Sequence, residues 1–221
     1  MKTEDLIADL AAHVTPVRPL PSPGVRALGW LALAGVCAAA GVAVFGARPD
    51  VMARLTERDY LWTAVLALTT SVLAVVATLV LSVPGAERTP LLRRATVVLL
   101  AIWALTMTWA VIETGRGLPI TTDPHWPACF ARVVVLTIVP MIVLFVMARR
   151  AAPLRLGWTG AFAAVAAASI AALAVQIACP LDDAGHAFLG HFVPVAIIAA
   201  LGVVVRRVLV RRDVADRAAA T

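Results

Sequence analysis

Residues Leu61 to Val83 read LWTAVLALTTSVLAVVATLVLSV, twenty-three positions without one charged side chain. A hydrocarbon core about 30 Å thick is crossed by about twenty residues of α-helix rising 1.5 Å each. This stretch is long enough, and it decides the fold class. A lipid-embedded segment must satisfy its own backbone N–H and C=O groups, and a single segment does so only as a helix.

Five more runs of the same kind flank it: Leu28 to Phe45, Ala95 to Ile112, Val133 to Met147, Trp158 to Ile177 and Phe188 to Val205. The Val133 run is short, and Cys129 and Phe130 just ahead of it bring it to spanning length. The predicted fold is all-α, a polytopic membrane protein built as a bundle of six transmembrane helices. The composition agrees: 62% of the 221 residues are hydrophobic and 14% charged, where a soluble domain carries about a quarter charged. Trp30, Trp62, Trp126, Trp158 and Tyr60 fall near predicted helix ends and read as interfacial anchors.

The net charge of +6 is informative through its placement. Lys2, Arg18, Arg26, Arg88, Arg93, Arg94, Arg149, Arg150, Arg155 and five arginines after Val205 lie in one alternate set of segments, and only Arg48, Arg54, Arg58, Arg116 and Arg132 in the other. Fourteen against five predicts that both termini are cytoplasmic. The basic clusters therefore read as topological, with the lipid bilayer as partner and no direct contact with nucleic acid. Some 26 mixed polar residues precede the first span, so no secretory signal is expected.

Three regions follow: residues 1–26 as a cytoplasmic amphipathic helix and proline-rich linker, 27–209 as the transmembrane domain, and 210–221 as a basic cytoplasmic tail. In the first, Thr3 can cap a helix, Glu4 and Asp5 suit its first turn, and Leu6, Ile7, Leu10 and Ala11 recur at helical spacing. Its acids outnumber Lys2, whereas helices that lie on a lipid surface are usually basic. The stripe of Leu6, Ile7 and Leu10 thus suits a protein partner. The linker VTPVRPLPSPG holds four prolines in eleven residues and ends the helix.

Chemistry gathers on the outward side. The segment Cys179 to Phe192, CPLDDAGHAFLGHF, supplies Asp182, Asp183, His186 and His191, while TTDPHWPAC supplies Asp123, His125 and Cys129. The remaining cysteine, Cys37, lies mid-span and reads as a packing residue. Asp182 and Asp183 stand four and three residues before His186, close enough for either to orient its imidazole if the sixth helix starts early. His191 falls deeper, where an imidazole needs a partner or a polar cavity. Three readings stay open: a copper or zinc site built from Cys129, Cys179 and His186, a redox pair, or a disulfide that staples the outer loops. Glu113 and Arg132 are expected to pair, and Pro140 and Pro194 to bend their helices.

The opening MKTEDLIADLAAHVTPVRPL, the six spans, the acidic and aromatic segment ending at Cys129, and CPLDDAGHAFLGH together resemble the NrsF family of bacterial membrane anti-sigma factors. The resemblance covers essentially the whole chain. It implies a protein that is not an enzyme and that holds an extracytoplasmic-function sigma factor at the inner membrane, releasing it under metal or oxidative stress. It implies too that Cys129 and Cys179 carry the response, with His186 and His191 at family positions, and that Thr3 to Leu20 contacts the sigma factor. Two alternatives remain: a thiol-disulfide oxidoreductase passing electrons to quinone, against which the fifty-residue separation of the thiols counts, and a small-ion transporter, against which the scarcity of midplane charge counts.

Overall fold

The structure is a computed structural model and describes residues 3–12, 19–83, 90–115, 118, 123–151 and 156–203. Among these there is no strand. A short amphipathic helix, α1 (Thr3–Ala12), precedes the bundle, and every side chain described on it is exposed, Ile7 included. The side chains of Leu6 and Leu10, the Pro-rich positions 13–18 and the basic tail lie outside the described residues.

Six helices are long and apolar enough to cross a membrane: α2 (Pro23–Phe45), α4 (Arg58–Leu81), α5 (Pro90–Thr114), α6 (Trp126–Arg149), α7 (Leu156–Ala178) and α8 (Ala184–Val203). Each overlaps a predicted span. A single turn, α3 (Val51–Arg54), sits between α2 and α4. The Ser22 side chain caps α2 and Pro23 opens it, a proline position whose missing N–H costs nothing. At its other end the chain turns away through Gly46 at φ +83°, a conformation that disfavours any residue with a Cβ.

The helix at the centre is the one made of alanine. In α7, 78% of the apolar window lies inside the bundle, against 56% in α4 and only 17% in α2. In lipid there is no water to expel from between helices, so association rests on close packing, and small side chains let backbones approach. Ala163, Ala166, Ala167, Ala171 and Ala174 are buried along α7 accordingly. Ser71 of α4 donates to the Ala166 carbonyl at 2.8 Å. Where α7 meets α8, a Cβ on Gly202 would lie 2.9 Å from the Gly160 carbonyl oxygen, so glycine is required for that contact.

Two expectations are corrected here. Trp30 is no interfacial anchor: it is 1% exposed and donates its indole N–H to the Pro140 carbonyl of α6 at 2.8 Å. The cause is the start of α2 at Pro23, ahead of the predicted Leu28, which carries Trp30 about two turns into the helix. Arg132 does not pair with Glu113; its guanidinium lies 5.0 Å from the centroid of the Phe45 ring, and Glu113 is exposed.

One buried charge stands at the N-terminal end of α2. Arg26 is 7% exposed and donates to the Met147 carbonyl in the last turn of α6. A cation there meets the negative end of the helix dipole and satisfies a carbonyl left without an intrahelical donor.

Candidate functional site

At the opposite end of α6 lies the thiol and imidazole cluster. Cys129 sits one turn into α6, Cys179 follows the last residue of α7, and His186 and His191 lie on α8. All four are buried. One ligand atom from each falls within 4.8 Å of every other. The two cysteines are unbridged, their sulfurs 3.7 Å apart, with Cys129 positioned to donate to Cys179. The His186 Nε2 lies 3.3 Å from the Cys179 sulfur.

Local backbone structure explains how two histidines five residues apart share one face. In an α-helix residues i and i+5 point about 140° apart. Here α8 opens with one α-turn, Ala184–Ala187, and then widens into a π-helical segment, Phe188–Phe192, in which the Val193 N–H reaches back to Phe188. Hydrogen bonding from i+5 to i brings residues five apart nearly into line. The His186 and His191 rings consequently stand edge to face, 5.6 Å between centroids. Pro194 follows immediately and has no N–H to offer Gly190, which favours a changed register there.

Gly190 supplies the room. A Cβ built on it would lie 3.1 Å from the Cys129 Cβ and 3.6 Å from the His186 Nε2. Glycine at this point lets α8 close on α6 directly over the site.

The acid that orients His186 comes from elsewhere in the chain than expected. Neither Asp182 nor Asp183 touches the ring; Asp123, in the segment before α6, takes its Nδ1 at 2.6 Å. A carboxylate on Nδ1 fixes the proton there and leaves Nε2 free to face the sulfurs, the arrangement seen behind metal-bound histidines. Burial alone would raise the Asp123 carboxyl, but hydrogen bonds from His186 and from the His125 backbone N–H outweigh it and hold it below the usual carboxylate range. The hydrogen bond from Cys129 likewise pulls the Cys179 thiol below its ordinary value, against the opposing effect of burial.

The other acids are structural. Asp183 caps α8, accepting from the His186 N–H at 3.0 Å. Asp182 latches two segments together: it receives two hydrogen bonds from Arg48 at 2.8 and 3.0 Å and pairs with Arg54. Arg48 also binds Asp50 and donates its backbone N–H to the Ile177 carbonyl. His125 is exposed beside Asp123 and takes no place in the cluster. The structure therefore brings together Cys129, Cys179, His186 and His191, with Asp123 behind them, and leaves out His125, Asp182 and Asp183. Asp123 as the orienting acid and the Arg48 latch escape a reading of the sequence, because nothing in spacing joins residues so far apart.

The residues fit a transition metal ion. Two sulfurs and two imidazoles are the donor set of tetrahedral zinc sites and suit soft copper as well. The Nε2 of His191 is buried and has no hydrogen-bond partner among the described residues, so one donor of the set is left unsatisfied.

Fold and site define a class: a helical membrane bundle with a buried cluster of thiols and imidazoles at one end and a short exposed helix ahead of its first span. Residues 10–211 match the NrsF family, negative regulator of sigma F, and the chain belongs to that family. Membership implies negative regulation of a sigma factor. No curated protein and no solved structure matches the chain.

Proposed function

We propose that the chain is a membrane anti-sigma factor that holds an extracytoplasmic-function sigma factor against the inner face of the bacterial cell membrane, and releases it when the cluster of Cys129, Cys179, His186 and His191 binds a copper or zinc ion or is oxidised. The observation that carries this reading is the convergence of those four buried donors within 4.8 Å, with a carboxylate holding one imidazole in place. The biased placement of the arginines supports an outward-facing cluster and an inward-facing N-terminus. The exposed α1, with Ile7 in its stripe, is the candidate contact for the sigma factor, together with Leu6 and Leu10.

The ion would supply positive charge that offsets two thiolates. The chain's own residues convert that local event into movement. Oxidation would close the sulfurs from 3.7 Å into a bond of about 2.05 Å, whereas a tetrahedral ion, which holds two sulfurs about 3.8 Å apart, would leave that spacing and draw the imidazoles of α8 onto it. Either event pulls on the ends of the helices that carry the cluster. Helix α6 runs from Cys129 across the bundle, and α2 grips it twice, Trp30 on the Pro140 carbonyl just past its middle and Arg26 on the Met147 carbonyl in its last turn. A shift of packed helices is a recurrent form of switching, and α2 leads straight back to the linker and α1. The signal must bind one arrangement better than the other for this to work.

The test is affinity purification of the tagged protein from its own membranes, intact and lacking residues 1 to 20. A sigma factor that co-purifies with the intact chain and is lost on truncation supports the reading; none with either form sinks it. A Cys129→Ser, Cys179→Ser variant should keep the sigma factor bound through metal or oxidant challenge. The oxidoreductase alternative gains one point from the structure, since the sulfurs are neighbours despite their separation in sequence. Disulfide exchange by the purified protein with no sigma factor present would favour it.

A further inference from the structure

Beside the cluster a cavity of about 390 Å³ opens between α4, α5, α7 and α8. Of the four ligands it touches only two: Cys179 and His191 line it, while Cys129 and His186 do not. His191 is 8% exposed and its Nε2 is the buried nitrogen that lacks a partner among the described residues. Four carboxylates, Glu57, Asp59, Glu113 and Asp182, line the same cavity with two guanidiniums, Arg48 and Arg54. Both guanidiniums are already committed, Arg48 to Asp50 and Asp182, and Arg54 to Glu57 and Asp182. The wall is left net negative, and a low-dielectric cleft of one sign concentrates ions of the other.

We propose that this cavity is the route by which a soft metal cation reaches the cluster, meeting Cys179 and His191 first, with Cys129 and His186 completing its ligand set. The inference rests on reading the cluster as a metal site and adds the direction of approach and the order of the ligands. The thioether of Met107, a soft donor, is buried on the same wall along the way. Cys129 does not line the cavity, and Gly190 packs closely against it.

The route can be tested without metal. Full-length protein in right-side-out membrane vesicles, carrying Cys37→Ser and stripped with a chelator, is treated with a cationic or an anionic methanethiosulfonate reagent, and the modified cysteine is identified by mass spectrometry. Cys179 should react at least about tenfold faster than Cys129. With each reagent normalised to its rate on a free thiol, the cationic one should be favoured by about fivefold or more at low salt, and the preference should shrink as salt is raised. Ala110→Trp, which places an indole in the cavity at a residue with no hydrogen-bonding side chain, should slow labelling of Cys179 by about tenfold. Equal labelling of both cysteines, a Cys179 rate untouched by Ala110→Trp, or the absence of any charge preference each overturns the route. Equilibrium zinc or copper binding to the unmutated protein is measured in the same vesicles. Its absence overturns the metal reading and the identity of the cargo, an outcome distinct from failure of the labelling pattern.

Discussion

Asp123 and His186 stand 63 positions apart in the chain and 2.6 Å apart in space, a carboxylate oxygen against the imidazole Nδ1. That contact decides which nitrogen faces the sulfurs. Asp123→Asn keeps the shape but removes the charge that makes the ring a better donor. The expected result is a loss of zinc affinity of about 10–100-fold, measured by competition with a chromophoric chelator, with helix content and melting of the purified protein nearly unchanged. Unaltered affinity would mean that the pair is only a loop tether.

The two sulfurs at 3.7 Å need little movement to bond. A thiol oxidant such as diamide should therefore form an intramolecular Cys129–Cys179 disulfide and no covalent dimer. One equivalent of zinc should slow the reaction by about tenfold or more, because a coordinated thiolate is a poorer nucleophile. Thiol counting with a mass-tagged maleimide under non-reducing conditions checks both statements. Disulfide formation at the same rate with zinc present would argue that the thiols are not ligands.

Trp30→Phe removes one buried hydrogen bond between α2 and α6, a loss of about 1 kcal/mol. Metal affinity should stay within about twofold, since the site lies at the far end of α6. The sigma-dependent reporter should respond to metal less than in the wild type. A variant that responds normally would show that Arg26 and Met147, or another path, suffice to link the helices.

The latch at Asp182 has a defined pH dependence. Hydrogen bonds from Arg48, then from Arg54, hold its carboxyl below the usual range against the effect of burial. With the folded value depressed below the unfolded one, its stabilising contribution is complete above the ordinary carboxylate pKa and fades as pH falls through the lower folded value. Melting of the protein in detergent should thus be insensitive to this group from neutral pH down to about pH 5. Asp182→Asn should lower stability by about 1 kcal/mol or less at neutral pH, because the carboxylate is nearly half exposed and solvent screens the pair, with the deficit narrowing in stronger acid. A constant deficit down to pH 2 would show that charge is not what the latch uses.

The six spans are legible because absence of charge over twenty residues has one physical explanation, and the start of each helix is legible to within a turn or two. Burial within the bundle is not. The windows of α2, α5 and α7 share a mean hydropathy of 2.1, yet 17%, 22% and 78% of them are buried. Lipid and protein interior are equally apolar, so hydropathy cannot rank them; the alanines of α7 do. Of the site, Cys129, Cys179, His186 and His191 are legible as the reactive residues near one membrane face. Their arrangement is not, because Asp123 joins His186 through tertiary contact alone, and because counting at 3.6 residues per turn sets His186 and His191 on different faces. Trp30 is misread for a similar reason: an aromatic ring near a predicted helix end is ambiguous until the true start of the helix is known.

The π-helical segment Phe188–Phe192 also bears on how such a site arises. Inserting one residue into an α-helix would normally turn everything beyond it by about 100°, and here would swing Gly202 away from Gly160. A π turn absorbs the extra residue where it stands and leaves the remainder of α8 in phase. A single inserted codon can therefore set a second imidazole beside the first without repacking the bundle, and a single deleted one can remove it. Descendants of one ancestral bundle can gain or lose the fourth buried donor of the cluster while keeping the same scaffold.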